Sequence, residues 1–125
     1  MRITQNFRLE EFKSKCGRPM PNTVMIKIIK LAKELQVLRD YLNKPIKITS
    51  GYRSKEHNAK IKGAKNSQHI LGTAVDIKVE GLTPKQVAET IEDLIEKGLM
   101  KQGGIGIYET WVHYDIRGTK ARWQN

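Results

Sequence analysis

Apolar residues recur every three or four positions along residues 25–42, and this spacing predicts one long amphipathic helix. We expect Asn22 or Thr23 to cap its start. We expect it to end near Asn43, because the proline two positions later disfavours helical backbone before it. Lysine and arginine fill much of the opposite side, so the apolar stripe needs a partner layer against which it can be buried. The stripe consists of Met25, Ile28, Ile29, Ala32, Leu35, Leu38 and Leu42.

Two short β-strand patterns supply such a layer. Residues 46–50 and 74–79 are rich in β-branched residues, and a glycine lies within two positions of each. In the second pattern the two valines and the isoleucine share one face, because successive strand residues point to opposite sides. Asp76 therefore points away from the apolar layer.

The C-terminal half predicts a second helix and a hairpin. Thr83 and Gln86 match a capping box around a proline, and the helix that follows is expected to stop near Gly98. Residues 105–108 and 111–116 then predict two strands joined by a turn. Because helices and strands are mixed along the chain, we expect an α+β fold with a small antiparallel sheet flanked by helices.

The length of 125 residues is typical of one domain, and no stretch has the composition of a linker. We therefore expect a single domain over residues 1–125. Residues 1–21 are expected to form an irregular N-terminal arm, with one short helix around residues 9–12, that packs on this domain. The tail, residues 117–125, is basic and contains Trp123.

Charge and cysteine content narrow the range of functions. Lysine and arginine number 23 against 13 acidic residues, and the formal net charge of +10 suggests a polyanionic partner. The single cysteine excludes an intrachain disulfide and a zinc site built from several thiolates. No apolar run is long enough for a transmembrane helix, so we expect no membrane insertion. Residues 1–12 lack the apolar segment of a signal peptide, so the protein is expected to be made in the cytoplasm.

Two histidines and an aspartate are spaced as candidate metal ligands. His69 precedes Asp76 by seven residues across a glycine-containing turn, and Asp76 lies on the polar face of its strand. His113 lies on a later strand, and pairing of that strand with residues 74–79 would bring two imidazoles and one carboxylate together. Three such ligands, with a fourth position left for water, are typical of catalytic zinc. Strands disfavour aspartate, so Asp76 in a strand favours a specific role.

Hydrolysis at such a metal site also needs a group that moves protons and a cation. Asp115 and Glu109 are the candidates for the general base, since both share strand parity with His113. Arg53 follows the strand of residues 46–50, where its guanidinium could hold a substrate carboxylate or the developing oxyanion.

Several blocks of the chain occur in an order and spacing that match one known family. They are Ser50-Gly51-Tyr52-Arg53-Ser54, His57-Asn58, Ser67-Gln68-His69 with Gly72, Ala74 and Asp76, Gly104-Ile105-Gly106-Ile107-Tyr108, and Val112-His113-Tyr114-Asp115-Ile116-Arg117-Gly118. Together with the opening Asn6-Phe7 and Leu9-Glu10-Glu11-Phe12, these blocks resemble the zinc D-alanyl-D-alanine carboxypeptidase family over nearly the whole chain.

The resemblance implies the hedgehog/DD-peptidase fold and a zinc peptidase that cuts peptidoglycan stem peptides or cross-links, as a carboxypeptidase or an endopeptidase. It implies one zinc ion held by His69, Asp76 and His113. Arg53 matches the family arginine that holds the substrate's carboxylate or carbonyl, and Ser67 matches a polar residue near the substrate. Tyr52 is a further candidate for substrate contact. It is also a candidate for lining the cleft, as are Tyr108 and Trp111, although aromatic residues beside strands are more often found in the core.

The chain departs from the family pattern just before the last implied ligand. Many members place the catalytic carboxylate or histidine there, whereas Trp111 and Val112 stand at these positions here. The general base is therefore left open between Asp115 and Glu109. An orienting role of Asp115 toward His113 is the alternative.

Three functions follow from these patterns. The first is a monomeric peptidoglycan hydrolase resembling phage or prophage lysins, which reaches the cell wall by phage-type release or acts on wall fragments. The second is a non-catalytic, zinc-containing wall-binding or phage structural module on the same fold, which hydrolysis of purified peptidoglycan would exclude. The third, a nucleic-acid binder, is disfavoured because the basic residues are spread along the chain and no nucleic-acid motif is recognised.

Overall fold

The structure, a computed structural model that describes residues 1–64 and 66–125, confirms the α+β class. Its helices are a short 3-10 helix (Leu9–Phe12), α1 (Asn22–Leu42), α2 (Lys55–Lys60), α3 (Gln68–Leu71) and α4 (Pro84–Glu96). Its strands are β1 (Ile46–Ser50), β2 (Ala74–Val79), β3 (Gly104–Ile107), β4 (Val112–Asp115) and β5 (Ala121–Gln124). Helix α4 packs against β2, β3 and β4 and also contacts α1.

The five strands form one mostly antiparallel sheet in the order β1-β2-β4-β3-β5. The pairing of β2 with β4 confirms the expected meeting of these two strands, and it places Asp76 opposite His113. The hairpin of β3 and β4 is also confirmed. Strand β5 pairs with β3 in parallel, and it is the one parallel strand among the described residues.

The alternation of strand residues separates an apolar face of the sheet from a polar one. Val75 of β2 lies opposite Tyr114 of β4, which in turn lies opposite Ile105 of β3, and all three side chains are buried in the core. Residues one position along each strand point to the other side. That other side carries Asp76 and His113, the two candidate metal ligands that lie on strands of the sheet.

Helix α1 confirms the predicted long helix but not its predicted cap. The expectation of a cap at Asn22 or Thr23 is wrong, because Pro21 is the N-cap and its carbonyl oxygen accepts from the backbone N–H groups of the first turn. The helix ends as expected at Asn43, which has a left-handed conformation with φ of 51°. The most deeply buried positions are Val24, Ile28, Leu31, Ala32, Leu35 and Leu38, so the buried stripe is rotated slightly from the predicted one. Within the described residues, no helix is long and apolar enough to cross a membrane.

The N-terminal arm contributes to the same core. Phe7, Leu9 and Phe12 are buried, and the carbonyl oxygen of Phe12 accepts a hydrogen bond from the backbone N–H of Tyr52. This contact lies just beyond β1, so the arm fixes the chain where it leaves the sheet toward Arg53.

Strand β5 was not predicted from the sequence, where the tail was described only as basic. Arg122 anchors this strand to helix α4, because its guanidinium donates two hydrogen bonds of 2.7 and 2.8 Å to the carboxylate of Glu92. The tail therefore completes the sheet beside β3 and brings Trp123 to its polar face.

Candidate metal centre

One row of residues crosses the polar face of the sheet. The strand register places Asp76 opposite His113, and His113 opposite Gly106. Gly106 in turn lies opposite Trp123 of β5. We call these four residues the cross-sheet row. Its first two members bring a carboxylate and an imidazole together on adjacent strands.

The third candidate ligand, His69, lies on the short helix α3, which the sequence did not predict. The Ser67 hydroxyl accepts a hydrogen bond of 3.1 Å from the backbone N–H of His69, which caps this one-turn helix. Gly72 ends the helix in a left-handed conformation with φ of 78°. A Cβ at Gly72 would lie 2.7 Å from the side chain of Val24, so both backbone conformation and space require glycine there.

The three candidate ligands converge on one point. His69 Nε2 lies 3.3 Å from Asp76 Oδ1, and His113 Nδ1 lies 3.5 Å from the same oxygen. One ligand atom from each residue lies within 4.8 Å of the others, and all three residues are buried. The structure therefore brings together the grouping that the sequence indicated.

Each imidazole is oriented through the ring nitrogen that faces away from Asp76. His69 Nδ1 lies 2.8 Å from the carbonyl oxygen of Gly51, which accepts from it and leaves Nε2 as the lone-pair atom. His113 Nε2 lies 2.7 Å from Asp115 Oδ2, which likewise leaves Nδ1 free. Such outer partners are typical of metal-binding histidines. This donor set of two imidazoles and one carboxylate fits a zinc ion.

The carboxylate at the centre is ionised at neutral pH. Burial raises the pKa of Asp76, but hydrogen bonds and charge interactions with His113 and His69 lower it to about 2. Burial lowers the pKa of His113, whereas Asp115 and Asp76 raise it, and their combined effect leaves it above its ordinary value. Asp76 lies beside both imidazoles, and Asp115 lies beside that of His113. The negative charge of these two carboxylates favours binding of a cation among the three candidate ligands.

Arg53 lies beside the candidate ligands, as the sequence predicted. Its NH2 group lies 3.3 Å from Asp76 Oδ2, and its Nε donates to the Ser50 hydroxyl at 3.2 Å. Burial lowers the pKa of Arg53 below its usual value, and the nearby Asp76 and Tyr108 offset only part of this effect. The buried Asn58 accepts from Arg53 NH1 at 3.4 Å and thereby fixes the guanidinium from the other side.

Asp115 is fully enclosed and accepts hydrogen bonds at both carboxylate oxygens. Its Oδ1 accepts from the backbone N–H groups of Gly104 and Arg117 and from Arg117 Nε. Its Oδ2 accepts from His113 Nε2 and from Arg117 NH2 at 2.8 Å. Burial raises the pKa of Asp115, but these donors lower it well below its usual range. The position of Asp115 therefore suits the orientation of His113 better than proton transfer.

The other candidates from the sequence occupy different places. Glu109 lies in the turn between β3 and β4 and is exposed, outside the strands whose parity it was expected to share. Tyr52 is buried in the hydrophobic core, so the structure does not place it at the substrate face. Ser67 lines the cleft next to His69.

The cleft above the ligands is lined by Tyr108 and Trp111, which the sequence offered as candidates, and by Arg117 and Trp123, which sequence reasoning missed. It has a volume of about 460 Å³, and the candidate ligands line it as well. The ring of Trp123 lies 4.9 Å from the ring of His113, measured between centroids. The sequence contained one signal for this packing, the Gly-x-Gly pattern of β3. Because Gly104 and Gly106 carry no side chains, a side chain from a neighbouring strand has room to lie across β3.

Gly106 allows this packing, and its replacement tests it. A Cβ at Gly106 would lie 2.3 Å from Trp123 Cε2 and Nε1, so Gly106→Ala should force the indole away from His113. We expect a loss of about 1–3 kcal/mol in the free energy of unfolding, measured by thermal or urea denaturation.

A double-mutant cycle provides the control. If the indole causes the clash, Gly106→Ala should cost much less in a Trp123→Ala background than in the wild type. Equal costs in both backgrounds would contradict the proposed packing.

Comparison with known proteins adds a family to this geometry. A sequence profile described as Peptidase M15 matches residues 5–115. The chain is 36% identical over 89 residues to the probable peptidoglycan L,D-endopeptidase MepK of Haemophilus influenzae, covering 66% of this chain and 44% of that protein. It is 31% identical over 87 residues to the peptidoglycan L,D-endopeptidase MepK of Escherichia coli K12, covering 64% and 44%. The matched part thus spans less than half the length of these curated relatives, and Trp123 lies beyond the range of the family match.

Proposed function

Because this chain belongs to the peptidase M15 family, we propose that it is a zinc-dependent peptidase that acts on peptidoglycan peptides. Membership of this family confirms the resemblance found in the sequence. The observation that carries the proposal is the convergence of His69, Asp76 and His113, with each imidazole held by an acceptor on its far side. These three residues are the proposed ligands of a single zinc ion.

When bound, zinc supplies a Lewis acid that activates water near neutral pH. The protein's own groups then have to bind and orient the peptide. Arg53 is proposed to hold a carboxylate or the scissile carbonyl oxygen of the substrate, because its guanidinium lines the cleft beside Asp76. Ser67 is proposed to contact the substrate backbone, because its oxygen accepts from His69 N and its O–H remains able to donate.

We assign Asp115 to positioning rather than to general-base catalysis. Its two oxygens are already acceptors for backbone and side-chain donors, and its side chain is closed to solvent. Its proposed role is to hold His113 in one tautomer and one orientation. Glu109 lies at the exposed tip of the hairpin, and it would serve as the base only if Glu109→Gln abolished hydrolysis while leaving zinc content unchanged.

The relatives named above are L,D-endopeptidases of peptidoglycan, and this supports an endopeptidase over a carboxypeptidase. The charge of +10 supports a wall substrate, since peptidoglycan and its attached polymers are anionic. We propose that the basic surface raises the local concentration of the protein at the wall. The rate of association should therefore fall with increasing ionic strength.

We propose a monomer as the active form, since a single chain supplies a complete set of three candidate ligands. We further propose that the protein acts at the cell wall or on wall fragments, after phage-type release in the manner of a lysin. The proposed site of action rests on the location of peptidoglycan, the proposed substrate, in the cell wall.

The function is tested by mass spectrometry of purified muropeptides before and after digestion. We expect one class of muropeptide to be replaced by products that differ by addition of water, and we expect a chelator to abolish the change. The product masses identify the bond. Intact muropeptides in the presence of zinc-loaded protein would contradict the proposal and would favour the non-catalytic wall-binding module.

A further inference from the structure

Tyr108 lines the cleft, but it is not one of the three proposed ligands and no role has yet been assigned to it. It follows β3 by one residue and lies two positions after Gly106, so it continues the polar face that carries the cross-sheet row. Tyr108 lines the same cleft as His69, Asp76 and His113. A phenol side chain therefore lines the substrate space together with the candidate ligands.

Two aromatic contacts hold this side chain in place. Its ring is stacked on Trp111, with centroids 4.6 Å apart and planes within 8° of parallel. Its oxygen accepts a hydrogen bond of 2.9 Å from Trp123 Nε1. The same indole packs against His113, so the position of Tyr108 is tied to that of the proposed ligand.

The indole N–H leaves the Tyr108 hydroxyl in the role of a donor. One lone pair of the oxygen is engaged by Trp123, and the O–H bond has no acceptor among the described residues. The aromatic cluster therefore orients the Tyr108 hydroxyl, while its proton has no acceptor among the described residues. Such a hydroxyl can donate a hydrogen bond to a bound ligand that carries an acceptor oxygen. In a peptidase cleft that acceptor is the carbonyl oxygen of a peptide.

Neighbouring groups favour Tyr108 for this role. Arg53 is the other donor proposed for the substrate, and its guanidinium already donates to Asp76, Ser50 and Asn58. Tyr108 would therefore be a second donor beside Arg53. Among the described residues that line the cleft, Asp76 contributes the one carboxylate, and it belongs to the ligand set. Tyr108 supplies a neutral hydroxyl donor to the lining of this cleft.

We propose that the Tyr108 hydroxyl is a catalytic residue that donates a hydrogen bond to the carbonyl oxygen of the scissile peptide bond, with Trp123 as its positioning residue. This inference rests on the proposed peptidase function. Negative charge grows on the carbonyl oxygen as the peptide is attacked, so the hydrogen bond strengthens in the transition state and accelerates the reaction.

The test compares Tyr108→Phe with the wild type on soluble muropeptides. The substitution keeps the stacked ring and removes the oxygen, together with the hydrogen bond that this oxygen accepts from Trp123 Nε1. We expect kcat to fall about 100-fold while KM, zinc content and thermal stability stay close to wild-type values. Tyr41→Phe is the matched control, because Tyr41 is exposed on α1, and it should retain full activity. An unchanged kcat for Tyr108→Phe, or an effect on KM alone, would overturn the proposal.

A second measurement separates this inference from the proposed function. A phosphinate isostere of a dialanine peptide places a charged oxygen where the carbonyl oxygen would develop its charge. We expect calorimetry to show that Tyr108→Phe weakens binding of this compound about tenfold. If the wild type hydrolysed no muropeptide, the proposed function would fail, and the phosphinate affinities would still decide the role of Tyr108. Equal affinities for wild type and variant would contradict it.

Discussion

His69→Ala is expected to abolish peptidoglycan hydrolysis and to remove tight zinc binding. His69 Nε2 is one of three donors that converge within 4.8 Å, and alanine leaves only Asp76 and His113 to hold the ion. Loss of a ligand should exceed the 10–100-fold loss of affinity that is typical when a hydrogen-bond partner of a ligand is removed. Zinc content by elemental analysis and muropeptide turnover measure the two effects on the same sample.

His57→Ala is the matched control for this experiment. His57 lies on α2 and does not belong to the ligand cluster of the described residues. We expect this variant to retain both zinc and activity. Tight zinc binding by His69→Ala, or equal losses in the two variants, would contradict the proposed ligand set.

Asp115→Asn is expected to have the second largest effect, because it disrupts the partner that orients His113. An amide at this position has one acceptor oxygen, so its NH2 group would face donors from His113 or Arg117. We expect zinc affinity to fall about 10–100-fold. We also expect the free energy of unfolding to fall by about 1–3 kcal/mol, because a buried donor loses its acceptor.

The response to added zinc distinguishes the two roles considered for Asp115. A positioning residue acts through metal affinity, so excess zinc should restore much of the activity of Asp115→Asn. A general base would instead leave zinc binding intact and lower kcat at saturating metal. Asp93→Asn on the exposed side of α4 is the control, and it should match the wild type in zinc affinity, stability and turnover.

Strands β2 and β4, which carry Asp76 and His113, could be predicted because the alternation of apolar and polar residues is a local sequence pattern. The alternation in β2 placed Asp76 on the polar face from sequence alone, and the same parity applied to His113 on β4. Pairing of these two strands was then the simplest way to bring the two residues together. The structure confirms the pairing, with Asp76 opposite His113.

The contributions of Arg117 and Trp123 to the cleft were not predictable because they depend on contacts between distant segments. The short tail that contains Trp123 has no strong strand pattern, and β5 forms because β3 offers a free edge. The donors around Asp115 come from Arg117 and from the backbone of Gly104, and no periodicity reveals them. Tyr52 is buried because the N-terminal arm packs near it, which strand parity could not indicate.

The most direct test of the account is to titrate zinc into metal-free protein while muropeptide hydrolysis is measured. If His69, Asp76 and His113 hold a single ion that hydrolysis requires, the metal-free protein should be inactive. Its rate should rise linearly with zinc and level off at one equivalent per chain. Full activity in the metal-free protein, or a rate that does not respond to zinc, would contradict the central claim.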